Sequence, residues 1–292
     1  MASMLVDAPI LCRHYKWGRD GVARECMAET PKYLSDAVEA AIEPLRNGSL
    51  DGEPEVIDWK SPVPFYGDAP NAKVASVALN PKGADERLTD LGFLGIQSWE
   101  AARRRHLEEI AASCQRYFQH QPELSRPDPW MTWFGHPDKL LGKIVDGASF
   151  KAGTACHIDL VPWPTYKVWA DVPPLTQEKL LGLGVRAVTA MLRGMPVELL
   201  WLNGRRVVGG FQDLVGKPLV EERVPDLDLV SRSGRRSRGF AWFGAIDEIR
   251  GVPLGRSIRV LGWNWNLPSS PGANGKVDEF AEWARNKLKT VW

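Results

Sequence analysis

Two side chains able to act on a ligand stand where short apolar runs end. Residues 74–79 (VASVAL) run into Asn80-Pro81, and residues 154–161 (TACHIDLV) carry His157 and Asp159 ahead of Pro162. A carboxamide such as Asn80 can hold a water or a polar group without a tuned pKa. An ionised carboxylate such as Asp159 only accepts hydrogen bonds, so it suits a donor edge. A third run, 197–202 (VELLWL), ends at Asn203-Gly204, and a fourth, 257–263 (SIRVLGW), leads into the polar run Asn264 to Pro271. No lysine stands in these motifs as a Schiff-base nucleophile. Cys12, Cys26, Cys114 and Cys156 are far apart and form no CxxC pair, so they read as reduced thiols, and neither a metal nor a cofactor is expected.

The four runs have the valine-rich, uninterrupted character of strands covered on both faces. Helical patterns lie between or beside them, at 33–46, 99–119, 176–193, about 205–215 and about 275–290. Residues 51–72 and 121–137, rich in proline, read as loop. The segment 219–246 alternates and carries Ser233-Gly234, which predicts a hairpin with Arg232, Arg235, Arg236 and Arg238 at its tip. Alternating strands and helices imply an α/β fold: three layers, α/β/α, around a central, mostly parallel, four-stranded sheet. Ligands of such sheets sit beyond the carboxyl ends of the strands, where the polar residues above fall. We expect an N-terminal extension, 1–60, packed on a main domain, 61–292, with the Arg-rich hairpin inserted at about 219–246.

Bulk properties narrow the classes. Net charge is only +1, so any nucleic-acid footprint must be a local patch. No stretch approaches a membrane span and no signal pattern opens the chain, which predicts a cytoplasmic protein with no membrane partner and no obligate protein partner. Of the 13 tryptophans, Trp130, Trp133, Trp263 and Trp265 lie beside polar motif residues, and aromatics around a polar cleft suit base stacking.

Several motifs occur together in order. Ala78-Leu79-Asn80-Pro81 closes the first strand. Phe93 follows within Leu91-Gly92-Phe93-Leu94-Gly95. Asp159-Leu160-Val161-Pro162 closes the second strand, and Leu267-Pro268-Ser269-Ser270-Pro271 follows the last. This order resembles the uracil-DNA glycosylase superfamily, most closely its mismatch-specific and single-strand-selective branches, over roughly residues 62 to 290.

The resemblance implies a monofunctional hydrolysis that releases a flipped base from DNA and leaves an abasic site. Asn80 would position the attacking water, and Phe93 would stack on the flipped base. Phe65 and His157 would join Asp159 in contacting that base. Asn266, Leu267, Pro268, Ser269 and Ser270 would grip the DNA backbone, with Leu267 as the apolar wedge and Asn266 replacing the histidine that heads this loop in relatives. Arg235 and Arg236 would clamp phosphates or a substituent on the base. Asp159 departs from the pattern, which has asparagine there. An acceptor-only carboxylate opposes the O4 of uracil and suits the N4 amino group of cytosine. A protonated Asp159, a base acting on the water and a salt-bridged structural residue are the other readings. Three functions follow. The first is removal of a modified cytosine, such as glucosylated hydroxymethylcytosine in phage DNA, as bacterial defence. The second is repair of uracil or thymine mispaired with guanine, and the third is a non-catalytic DNA-binding module.

Overall fold

A computed structural model describes residues 30–81, 91–92, 94–118, 129–230, 234, 236–270 and 272–291, with backbone alone for 15–17, 23–25 and 129–132. Two compact units divide the chain, Met1–Thr30 and Pro31–Trp292. In the first, β1 (Tyr15–Trp17) pairs antiparallel with β2 (Ala23–Glu25). The second begins with helix α1 (Lys32–Arg46), so this helix belongs with the sheet that follows.

The apolar runs become strands because covering both faces removes valine, leucine and isoleucine from water. They are β4 (Val74–Ala78), β5 (Ala155–Asp159), β6 (Leu199–Asn203) and β11 (Val252–Trp263). These four are mutually parallel. Among the described residues the sheet has seven strands, which corrects the expectation of four. The short β3 (Phe65–Tyr66) pairs antiparallel at one edge, and β10 (Phe240–Ile249) and β7 (Val220–Arg223) extend the other, in the order β3-β5-β4-β6-β11-β10-β7. A two-residue strand such as β3 carries no periodicity to read. The expected insertion at 219–246 is part of this sheet: β7 and β10 pair antiparallel, while the intervening β8 (Leu229–Val230) and β9 (Arg236–Ser237) form a small arm. β10 then turns directly into β11 through Arg250-Gly251, whose φ angles are 48° and 80°. Consecutive positive φ values are what a tight hairpin turn requires.

Helices cover both faces. Successive residues of a strand point oppositely. The Trp263 ring lies 4.7 Å from Phe280 of α6 (Val277–Thr290), while a side chain at Gly262 would meet Val208 of α5 (Arg205–Val215) at 2.9 Å. Helix α3 (Pro129–Ile144) packs with α6. It replaces the 129–137 part of the loop expected at 121–137, whose earlier residues lie outside the described ones; two prolines masked the helical pattern, Pro129 at its start and Pro137 inside it. Helices α1, α4 (Pro174–Gly194) and α5 pack on one another in turn, and α2 (Arg104–Gln115) packs against α1 and β3.

Gly184 lets α4 approach the end of β5. A Cβ there would stand 2.2 Å from the Leu160 carbonyl oxygen, one residue beyond Asp159. Overpacking of this kind costs about 1–3 kcal/mol, so Gly184→Ala is expected to lower Tm by about 5 °C in calorimetry. An unchanged Tm would contradict this packing.

Candidate functional site

Four parallel strands in the order β5-β4-β6-β11 reverse direction of winding between β4 and β6. A crevice opens at such a switch point. A cavity of about 290 Å³ occupies it, lined by Asn80 from the end of β4, His157 and Asp159 from β5, and Asn203 from β6. A larger groove of about 550 Å³ lies elsewhere, around Lys32, Arg46 and Arg104. Its cations already face Asp36, Glu39 and Glu108, whereas the smaller cavity holds a buried carboxylate oxygen without a hydrogen-bond partner, so we place the site in the smaller cavity.

Register brings the polar residues together. Ala78 lies opposite Asp159, and the ladder continues past the strand ends through Leu160 N–H to Ala78 O (3.1 Å) and Val161 N–H to Leu79 O (2.8 Å). Asn80 therefore starts just beyond Asp159 along the same pair of strands. Its Nδ2 donates to Thr165 Oγ1 at 2.7 Å and to Pro81 O at 3.1 Å. The Thr165 hydroxyl in turn donates to Lys167 O at 2.7 Å. This chain fixes the amide so that Oδ1 is the end Asn80 offers to a ligand or a water.

Asp159 is 2% exposed and its Oδ1 has no hydrogen-bond partner. His157 Nε2 lies 3.5 Å from that oxygen, an ion-pair distance without hydrogen-bond geometry. On the other side of its ring, His157 Nδ1 is 2.6 Å from Ser76 Oγ, directly across from it on β4. A buried acceptor with no partner costs about 1–3 kcal/mol, and such a cost persists where a ligand supplies the missing donor. The surrounding wall is aromatic: Tyr66, Trp133 and Phe134 rings lie 5.4, 5.9 and 5.1 Å from the His157 ring.

The remaining expected residues are placed as follows. Phe65 is 0% exposed and points into the core, away from the cavity; its neighbour Tyr66 lines the cavity instead, because adjacent strand residues face opposite ways. Leu267 is also 0% exposed, so it anchors its loop rather than projecting as a wedge. Asn203 holds it there, accepting from Leu267 N–H at 2.9 Å and donating to Leu267 O at 2.9 Å. Asn266 is exposed and reaches the cavity; its Oδ1 accepts from Asn203 Nδ2 at 3.2 Å, which leaves its own Nδ2 to offer to a ligand. Gly204, at φ 119°, permits that approach, since a side chain there would meet the Asn266 Cβ at 3.2 Å. Pro268 is half-buried, Ser269 is exposed and Ser270 Oγ accepts from Asn266 N–H at 2.8 Å. Arg236 is exposed on the small arm. The base of that arm is tied to the loop after β11 by Asn264, which accepts from Phe240 N–H at 2.8 Å and donates to Arg238 O at 2.9 Å. Phe93 and Arg235 lie outside the described residues.

Sequence reasoning missed Tyr66, Tyr117, Thr165, Lys167, Val168 and Trp169. The last four sit on the segment just past β5, and their position beyond a strand end was the available signal. Lys167 lines the cavity while its Nζ meets the buried Glu55 carboxylate at 2.5 Å. Val168 is 55% exposed at the rim, beside Tyr166 at 64%, and both are held on a backbone pinned by Tyr166 N–H to Glu55 O (2.9 Å). The thiols of Cys114 and Cys156 are buried; burial pushes Cys114 up to about 12 and raises Cys156 as well, so neither is a nucleophile at neutral pH.

Removing the Thr165 hydroxyl would free the Asn80 amide to rotate. Thr165→Val is expected to lower Tm by about 3 °C, because a neutral hydrogen bond is worth about 1 kcal/mol. Calorimetry checks it, and an unchanged Tm would mean that the Thr165 hydroxyl does not hold the Asn80 amide.

No protein-family model matches this chain, and comparison with curated proteins finds no match. Among the described residues no helix is long and apolar enough to cross a membrane.

Proposed function

We propose that this chain is a DNA glycosylase that hydrolyses the bond between a flipped, cytosine-type base and its deoxyribose, leaving an abasic site. The observation that carries the reading is the buried Asp159 carboxylate at the cavity, with an oxygen that lacks a donor. A cytosine N4 amino group supplies that donor, whereas uracil O4 would place a second acceptor against it. The strand-end arrangement supports a uracil-DNA glycosylase-like fold, since Asn80 and Asp159 fall where the sequence motifs of that superfamily put its water- and base-binding groups.

In this account the flipped base enters among Tyr66, Trp133 and Phe134, which replace the stacking lost on leaving the duplex. Asn80 Oδ1 holds a water against C1′. As the bond from C1′ to the base breaks, its electron pair goes to the base, the water oxygen bonds the oxocarbenium-like carbon, and the proton it gives up passes through solvent to the departing base anion. Asn266 Nδ2 donates to the departing base. The cavity lies at the lower end of the roughly 300–1,000 Å³ range of ligand pockets, which suits one base and a substituent. A glucosylated hydroxymethylcytosine in phage DNA is the substrate proposed, with defence of a bacterial cell as its setting. Mass spectrometry of the small molecules released from DNA containing this base tests the reading. The free modified base is expected; none released at enzyme excess would reject it.

A further inference from the structure

The polar chain behind the cavity has a direction. Ser76 Oγ and His157 Nδ1 are 2.6 Å apart, and both side chains are buried. A serine hydroxyl carries one proton, and a buried hydroxyl finds an acceptor for it. On the far side of the ring Nε2 faces Asp159 Oδ1 at 3.5 Å, and two acceptors so placed repel, so a proton on Nε2 relieves the contact. With that proton on Nε2, Nδ1 is left to accept from the Ser76 hydroxyl. The order is the reverse of a nucleophile triad: the carboxylate, not the hydroxyl, reaches the cavity.

We propose that Ser76 and His157 are positioning residues for Asp159. Ser76 fixes the imidazole tautomer, and the Nε2–H it leaves facing Asp159 attracts the carboxylate electrostatically without hydrogen-bonding it, so that Oδ1 stays open to a donor on the base. This rests on the reading of Asp159 as the group that contacts the base. It predicts that the pair governs which base is bound and leaves the hydrolytic step, which belongs to Asn80, nearly untouched.

Long-range ¹H–¹⁵N spectra of the full chain labelled in histidine test the tautomer, with the His157 signals assigned by their loss in His157→Gln. A proton on Nε2 is expected, giving way to mixed tautomers in Ser76→Ala. On DNA bearing glucosylated hydroxymethylcytosine, Ser76→Ala is expected to raise KM about tenfold with kcat nearly constant, since one hydrogen bond is removed. Ser76→Thr, which keeps the hydroxyl, restores KM, and Ser76→Ala adds nothing in an Asp159→Asn background. A proton on Nδ1, or a tautomer and KM indifferent to Ser76→Ala, overturns the proposal. The tautomer is read without any base release, so failure of this arrangement and failure of the glycosylase reading are separate results.

Discussion

Asp159→Asn is expected to move the base preference from cytosine derivatives towards uracil. The amide offers a donor as well as an acceptor, so the repulsion against O4 disappears and the contact to N4 weakens. A well-made polar contact to a base edge is worth about 1–3 kcal/mol of discrimination, which places the change in the ratio of kcat/KM values at about 100-fold when both bases are counted. Stability should not fall with it. The carboxylate is 2% exposed with an oxygen lacking a hydrogen-bond donor, and replacing a desolvated charge with a neutral isostere removes a penalty. An unchanged or raised Tm beside an altered preference separates recognition from folding. Loss of both activities with a lowered Tm would mean that Asp159 is a structural ion-pair partner of His157.

Asn80→Ala should have the larger effect on rate. On the proposed reading it removes the oxygen that holds the water, while the cavity walls and the arm stay in place. Misplacing an attacking group costs about 10²-fold or more, so single-turnover base release is expected to fall at least that far, with affinity for substrate DNA within about twofold of the parent. A non-catalytic module would show no such split, because its phenotype would follow binding alone. Anisotropy and single-turnover measurements on the same DNA distinguish the two.

Much of the architecture was legible because it rests on unbroken apolar runs. Residues 74–79, 154–161, 197–202 and 257–263 each fall on a central parallel strand, and helix α5 falls on the segment expected for it. The edges were not legible. β3 has two residues, β11 begins at Val252 because a tight turn lets it pair back on β10, and Pro129 and Pro137 disguised α3. For the site, polarity at strand ends located Asn80, His157 and Asp159, all of which line one cavity. Facing was harder. Phe65 and Tyr66 differ by one position, and in a strand that one position decides between core and cavity. Leu267 was misread for a related reason: an apolar residue in a Pro-Ser loop looks exposed until Asn203, distant in sequence, is seen to hold its backbone. Lys167 and Thr165 lie in a loop whose path no local pattern specifies.

The central claim is tested most directly by an abasic-site assay on a defined panel. Purified protein is incubated with DNAs carrying uracil, G·T and G·U mispairs, hydroxymethylcytosine and its glucosylated form, then treated with alkali to cut wherever a base has been removed. The account predicts strand cleavage at the cytosine derivatives and none at uracil or thymine. Cleavage at uracil alone would contradict it, and would make Asp159 something other than the reader of a donor edge.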